Sequence, residues 1–272
     1  MSEKQKIDVA DFDTFLEAVK AAAKTVESAK FQVGPGGLEM YGARQSARAR
    51  CEIASNAVTS SEPVSFAIEN VQMFLRILQS VKEIHAGDYS RLTLSVDRGA
   101  FRAESNKFKT RYSLCDENVI SQWLSKKIDD SRLTPVFEFT TASDMIKCVN
   151  QHAFMFSDAK AVRVYLEQRP DMENNAVFAT LGNKETSLNN EVTLKFGLVT
   201  AGSLQVRGGD GLVSGERQII LDLERLNLFN AVPSNQIKCQ LMDVNCLVSK
   251  TKLSGREGVF FDYSVYSTIL KA

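Results

Sequence analysis

No stretch of this sequence stays apolar for the roughly 18 residues that a bilayer-spanning helix needs. The opening segment MSEKQKIDVADFD also lacks the apolar core of a secretory leader. The expectation is a protein that stays in the compartment where it is made. Cysteine is scarce and irregularly placed: Cys51, Cys115, Cys148, Cys239 and Cys246 are five in number and no two form a C-x-x-C pair. That argues against a zinc knuckle or a disulfide framework and for buried reduced thiols. Histidine is scarcer still. His85 and His152 are the only two, neither is expected in an H-E-x-x-H arrangement or paired with a cysteine at metal-ligand spacing, and both fall near expected helix ends, where a structural role is usual. There is no Walker motif and no G-x-S-x-G elbow. The cluster Gly34-Pro35-Gly36-Gly37 sits between two strand patterns rather than ahead of a helix, so it forms no phosphate cradle. Asp129 and Asp130 are adjacent, a poor arrangement for two carboxylates that must converge on one reacting atom. No catalysis, no metal and no cofactor are expected.

Net charge is also missing. Lysine plus arginine and aspartate plus glutamate both number 33, whereas a protein that holds nucleic acid by bulk attraction is normally basic overall. Any contact with phosphates must then rest on a local arrangement of cations. The chain is 44% hydrophobic and 24% charged over 272 residues, which is ample for a buried core, and the length favours two domains of middling size.

The first long element, DFDTFLEAVKAAAKTVESAK, covers residues 11 to 30. Phe12, Phe15, Leu16, Val19, Ala23 and Val26 recur at three- and four-residue steps, which predicts an amphipathic helix. Thr14 and Glu17 have capping-box spacing, and Asp11 and Asp13 sit where carboxylates favour a helix start. On the other face lie Glu17, Lys20, Lys24 and Glu27, with alanines between them that would leave a low surface. Strand patterns follow on both sides of the glycine cluster. SFAIENVQMFLRILQSV then reads as a strand, Asn70 as N-cap, and a helix burying Val71, Phe74, Leu75, Leu78 and Val81. RLTLSVD, AFRAESN and FKTRYSL are three further short strands.

Residues 116 to 135 break the strand pattern, and the chain beyond replays the first half. VFEFTT is a strand, Ser143 or Thr141 is placed to cap the helix ASDMIKCVNQH, and AVRVYLEQ, NAVFATLG and EVTLKFGLV are strands. RQIILDLERLNLFNAV repeats the strand-cap-helix grammar with Asp222 as cap and Leu223, Leu226 and Phe229 inward. IKCQLMD, CLVSKTKL and GVFFDYSVY close the chain. The expected organisation is a duplicated α+β fold: an N-terminal domain 1–118, a connector 119–134 and a C-terminal domain 135–272. The glycine-rich stretch VRGGDGLVSGE, residues 206 to 216, reads as a loop.

Two helices per half must cover a sheet face, which sets their outer sides next to each other. Lys20, Lys24, Arg76, Lys82, Lys147 and Arg225 fall on those outer sides, among a few acids such as Glu17, Glu27 and Glu224. On charge pattern alone, such positions are ordinary solvated helix surface in most proteins. Arg44, Arg48 and Arg50 share strand parity, a basic stripe or simply the wet face of a sheet.

The order of elements, the small-residue helix with its lysines, FAIENVQMFLRIL, IILDLERLNLF and the terminal GVFFDYSVYSTIL together resemble the DNA sliding clamps. The likeness is to the two-domain clamps of phage replisomes and of the proliferating cell nuclear antigen type, and covers residues 5 to 269. It implies a homotrimeric ring with antiparallel sheets outside and two helices per domain lining a central hole. By the same resemblance the chain would be a non-enzymatic processivity factor that encircles duplex DNA without reading sequence. It would tether a DNA polymerase, be opened by a clamp loader and work at replication sites in cytoplasm, nucleus or nucleoid, with a viral source as the leaning. The DNA-facing residues carried over are Lys20, Lys24, Arg76, Lys82, Lys147 and Arg225, with Lys30 near the end of the first helix as an addition. The joining edges would be the strands near Lys109 to Cys115 and Glu191 to Val199, and Ile120, Trp123 and Leu124 of the connector would border a pocket for partner peptide tails. A short helix packed over the domain junction would explain those three residues as well. Two other readings keep the doubled fold: a monomeric DNA-holding processivity factor, and a structural or assembly protein of a virus particle.

Overall fold

A computed structural model of the chain describes residues 4–44, 47–53, 57–97, 99–124, 135–155, 161–167, 176–182, 191–201, 203, 218–232, 234–242, 246–252 and 259–266. The expected loop at 206 to 216 and residues 125 to 134 of the connector lie outside them. The chain divides into two compact units, Met1–Lys127 with Gly255–Phe261, and Ile128–Ser254 with Asp262–Ala272.

The first unit opens with β1 (Gln5–Val9), α1 (Phe12–Thr25), β2 (Ser28–Gly34), β3 (Gly37–Arg44), β4 (Ala47–Ile53) and β5 (Val58–Thr59). It continues with β6 (Val64–Ile68), α2 (Val71–His85), β7 (Thr93–Asp97), β8 (Ala100–Glu104), β9 (Lys109–Ser113) and α3 (Glu117–Leu124). Five strands pair in the order β5-β1-β7-β8-β9, and a second row runs β4-β3-β2-β6. Pairing is antiparallel throughout. Pro35 and Gly36 fill the turn between paired Gly34 and Gly37, and Gly37 holds φ 130°, a conformation that suits glycine. The core is aromatic: Phe31 stacks on Phe66 at 5.0 Å, while Phe74 of α2 sets its edge against Phe101 of β8 at 4.9 Å and Tyr112 of β9 at 5.6 Å. Each such pair contributes about 0.5–1.5 kcal/mol beyond area burial.

The second unit repeats the order with β10 (Pro135–Thr141), α4 (Ser143–Ala153), β11 (Ala161–Glu167), β12 (Ala176–Gly182), β13 (Glu191–Val199) and β14 (Gln218–Asp222). It continues with α5 (Leu223–Leu228), β15 (Ile237–Met242) and β16 (Cys246–Lys252), and the chain closes with β17 (Val259–Tyr266), whose residues up to Phe261 group with the first unit. Its strands run β14-β11-β12-β13-β10-β15-β16, with β17 beside β16. Phe137, Phe139, Phe196 and Phe229 fill its interior with Ile146 and Val149 of α4 and Leu226 of α5. The duplicated strand, helix, strands, helix, strands layout is therefore present, as the sequence predicts.

Several local expectations are corrected. The first helix ends at Thr25, not near residue 30. Thr25 turns its hydroxyl back to the Ala22 carbonyl at 2.9 Å, and Val26 is already extended at φ −133°. Beyond it, Ala29, Phe31 and Val33 are buried in the alternation of a strand. The helix cap is Asp11, which accepts from the Thr14 N–H at 3.0 Å and from the Thr14 hydroxyl, so Thr14 serves Asp11 rather than forming a box with Glu17. Neither Thr141 nor Ser143 caps α4. Ala142 holds that position without a side-chain bond; Thr141 donates to the Phe196 carbonyl at 2.6 Å, and Ser143 Oγ accepts from the Ser234 N–H at 2.8 Å. Asp222 occupies the N-cap position of α5 but makes no capping bond. Arg44 stands on β3 opposite Ala47, while Arg48 and Arg50 stand on β4 opposite Ala43 and Tyr41, so the backbone register places Arg44 out of phase with the other two.

Candidate nucleic-acid interface

In the first unit α1 and α2 pack side by side. Ala18, Ala21 and Ala22, expected at the surface between the lysines, are buried, and so is Ala23, which the helical steps had placed inward. Their small volume lets α2 approach closely enough for the Gln72 amide to donate to the Ala23 carbonyl. What remains outward on α1 is Lys20 and Lys24, with Glu27 beyond the helix end and Glu17 and Asp13 half-buried. On α2 the outward cations are Arg76 and Lys82. Four cations thus occupy the exposed faces of two neighbouring helices, which the sequence spacing predicted.

The structure adds the acids. Lys20 Nζ lies 3.3 Å from Glu17 Oε1, Lys82 Nζ 2.8 Å from Asp13 Oδ1, and, on α4 of the second unit, Lys147 Nζ 3.0 Å from Asp144 Oδ1. The hydrogen bond from Lys82 to Asp13, and then the Asp13 charge, raise the Lys82 ammonium above its ordinary value. All three pairs are open to solvent, where such bridges are weak. Arg76 has no ion pair among the described residues and is exposed. Lys24 lies at a polar cleft of about 640 Å³ that Glu27, Glu69, Asn70 and Gln72 also line. A cation-bearing face with its own counter-charges is weakly attractive, non-specific and exchangeable.

The remaining sequence candidates are distributed otherwise. Lys30 is on β2 and not on a helix; its Nζ lies 2.8 Å from Glu117 Oε2, and Ser65 Oγ donates to the same oxygen at 2.9 Å. This half-buried pair fastens α3 to β2 and β6, so Lys30 is separated from the helix cations. Arg225 belongs to the backbone of α5, a helix of six residues, and its side chain lies outside the described ones. Ile120 of α3 is 4% exposed and belongs to the interior, whereas Val119 is 55% exposed. The side chains of Trp123 and Leu124 are not among those described.

Of the two strands expected to present edges, β9 ends the five-stranded order. β13 pairs with β12 from Glu191 to Leu198 but with β10 only at Leu198 and Val199, so its Glu191–Gly197 stretch has no strand on the second side among the described residues. Sequence reasoning missed one pair altogether. Cys148 and His152, four apart on α4, bring Sγ to 3.6 Å from Nδ1, while Nδ1 also contacts the Cys148 carbonyl at 2.8 Å. The C-x-x-x-H spacing was visible as a signal. No group of three metal-ligating side chains forms among the described residues.

No protein-family model matches the chain, and no curated protein matches it. Solved structures do. The proliferating cellular nuclear antigen of Entamoeba histolytica superposes with a TM-score of 0.62 at 16% identity, over 97% of this chain and 98% of that one. The A. fulgidus PCNA, solved bound to the C-terminal region of FEN-1, gives 0.66 at 11% identity, over 99% and 100%. The H. pylori β clamp, in complex with 5-chloroisatin, gives 0.66 at 12% identity, over 99% of this chain and 68% of that chain. The chain has the sliding-clamp fold.

Proposed function

We propose that this chain is a sliding clamp: three copies close head to tail into a ring around duplex DNA and tether a polymerase to its template. The observation that carries the reading is the placement of Lys20, Lys24, Arg76 and Lys82 on the two exposed helix faces of a clamp-fold unit. Sheets build the rest of that unit. Neutral total charge fits the same design, since attachment by topology needs no bulk attraction and would be hindered by tight base-reading contacts. Lys147 and Arg225 serve the same purpose from the second unit. Joining β9 of one copy to the open stretch of β13 in the next removes both free edges, which would otherwise template uncontrolled pairing.

The activity is mechanical rather than catalytic. A clamp loader opens the ring, and peptide tails of polymerase and other replication proteins dock beside α3, with Val119 and Trp123 as apolar contacts. Binding of the FEN-1 tail by the A. fulgidus protein supports that mode.

Solution mass tests the ring. Three chains of 30.2 kDa make about 90 kDa by light scattering; a 30.2 kDa species at every concentration overturns it. Reversing Lys20, Lys24 and Arg76 to glutamate together is expected to cut processive synthesis while the oligomer persists. Undiminished processivity removes those residues from the DNA surface.

A further inference from the structure

Phe154 is 89% and Met155 71% exposed, the two most exposed large apolar side chains among the described residues. Apolar surface left in water is unfavourable, so an adjacent pair this bare points to a contact. Phe154 still holds helical dihedrals, φ −66° and ψ −18°, as the C-cap of α4. It therefore continues the exposed line of Asp144, Lys147 and Gln151, which recur at steps of three and four. Lys147, the candidate phosphate contact of this unit, stands about 10 Å back along the helix axis.

The internal repeat shows that the fold does not require this exposure. The matching helix α1 also ends in an apolar residue, but its C-cap, Val26, turns to φ −133° and is 4% exposed. Val26 packs against Gly42 of β3 so closely that a Cβ added there would meet its Cγ2 at 2.6 Å. At the same place α4 keeps its helical turn and sends a larger side chain outward.

We propose that Phe154, with Met155 beside it, stacks on an unpaired base where duplex DNA gives way to a single strand, while Lys147 meets a phosphate of the same strand. The charge pattern along α4 favours that occupant. Lys147 attracts the backbone, whereas the last carbonyls of α4 make its C-terminus partly negative, which turns phosphate away from the tip and leaves an uncharged base to meet it. Within a duplex each base face is already stacked, and inserting a phenyl group would mean parting a step at every position along which a clamp slides. An unpaired base has a free face. Because every base has one, the contact is independent of sequence and releases no counterions. This inference rests on the clamp reading above and adds to it a preference for the junction at which a polymerase works.

Two fluorescein-labelled DNAs of equal charge supply the test: one duplex carrying a single-stranded thymidine tail, and the same duplex carrying a tail of abasic sugars. In anisotropy titrations at low salt, the wild type is expected to bind the thymidine tail at least about fivefold more tightly, the lower end of what one stacked base supplies. Phe154→Ser should bind both tails alike, Phe154→Trp should keep the preference, and Lys147→Gln should weaken both to the same extent. The preference itself should not change with salt. Since Phe154 is so exposed, Phe154→Ser is expected to melt with the wild type; Met155→Ser, expected to lose part of the preference, repeats the test at the neighbouring position. Wild-type binding to both DNAs without preference, or a preference that survives Phe154→Ser, overturns the stacking contact and leaves the clamp reading standing. A smaller oligomer for Phe154→Ser by light scattering overturns it as well, in favour of a second copy over the tip. Binding to neither DNA overturns both the contact and the DNA-facing role of α4.

Discussion

Lys82 Nζ lies 2.8 Å from Asp13 Oδ1, joining the last turn of α2 to the first turn of α1. The pair obeys both helix dipoles, with the cation at a C-terminus and the carboxylate at an N-terminus. It links the two helices whose outward faces carry Lys20, Lys24 and Arg76.

The Lys82 pKa is raised, first by the hydrogen bond to Asp13 and then by its charge. Its stabilisation is therefore complete below the ordinary lysine value of 10.5 and is lost as pH climbs through the raised folded value. Thermal unfolding followed from pH 8 to 12 is expected to fall more gently above pH 10 for Asp13→Asn than for wild type. Parallel curves would remove the pair from the stability of the helix layer.

Asn70 Oδ1 accepts from the Met73 N–H at 2.8 Å and caps α2. Asn70→Ala is expected to cost about 1 kcal/mol in urea unfolding, and Asn70→Asp to restore most of it. Equal midpoints for all three proteins would show that the cap does not limit stability.

Gly42 on β3 has no room for a side chain: an added Cβ would meet Val26 Cγ2 at 2.6 Å. Gly42→Ala is expected to cost about 1–3 kcal/mol through overpacking. Adding Val26→Ala should recover part of that, because the obstruction is the valine itself. A double mutant less stable than either single change would place the strain elsewhere.

Lys30, paired with Glu117, and Lys20 set a structural cation against a proposed DNA-facing one. Lys30→Gln is expected to lower stability by at most about 1 kcal/mol, since the pair is partly solvated, and to leave DNA-dependent activity unchanged. Lys20→Gln should do the reverse, with unchanged unfolding and weaker retention on DNA. If Lys30→Gln reduces DNA retention at constant stability, β2 belongs to the DNA surface.

The elements that were legible were those fixed by neighbours in sequence. Asn70 precedes its helix, and Val71, Phe74, Leu75, Leu78 and Val81 repeat at helical steps, so α2 needed no partner to be recognised. The cations Lys20, Lys24 and Arg76 fell on outward faces by the same arithmetic. Where helical and strand periods overlap, the reading slipped: Val26 continued the helix pattern while Ala29, Phe31 and Val33 had already begun a strand.

By itself, then, the sequence determined the repeated order of strands and helices and the main apolar face of α2. Those properties depend on dihedral preference and periodicity over a few residues. Tertiary structure alone decided what Lys30 pairs with, which hydroxyls were taken from the α4 cap by Phe196 and Ser234, and that the alanines of α1 face inward. It also decided that β13, among the described residues, has no strand beside most of its second side. Each of these depends on which distant segment arrives as a neighbour. Hydrogen bonds, close packing and charge pairs act over a few ångströms of space, whatever their separation along the chain.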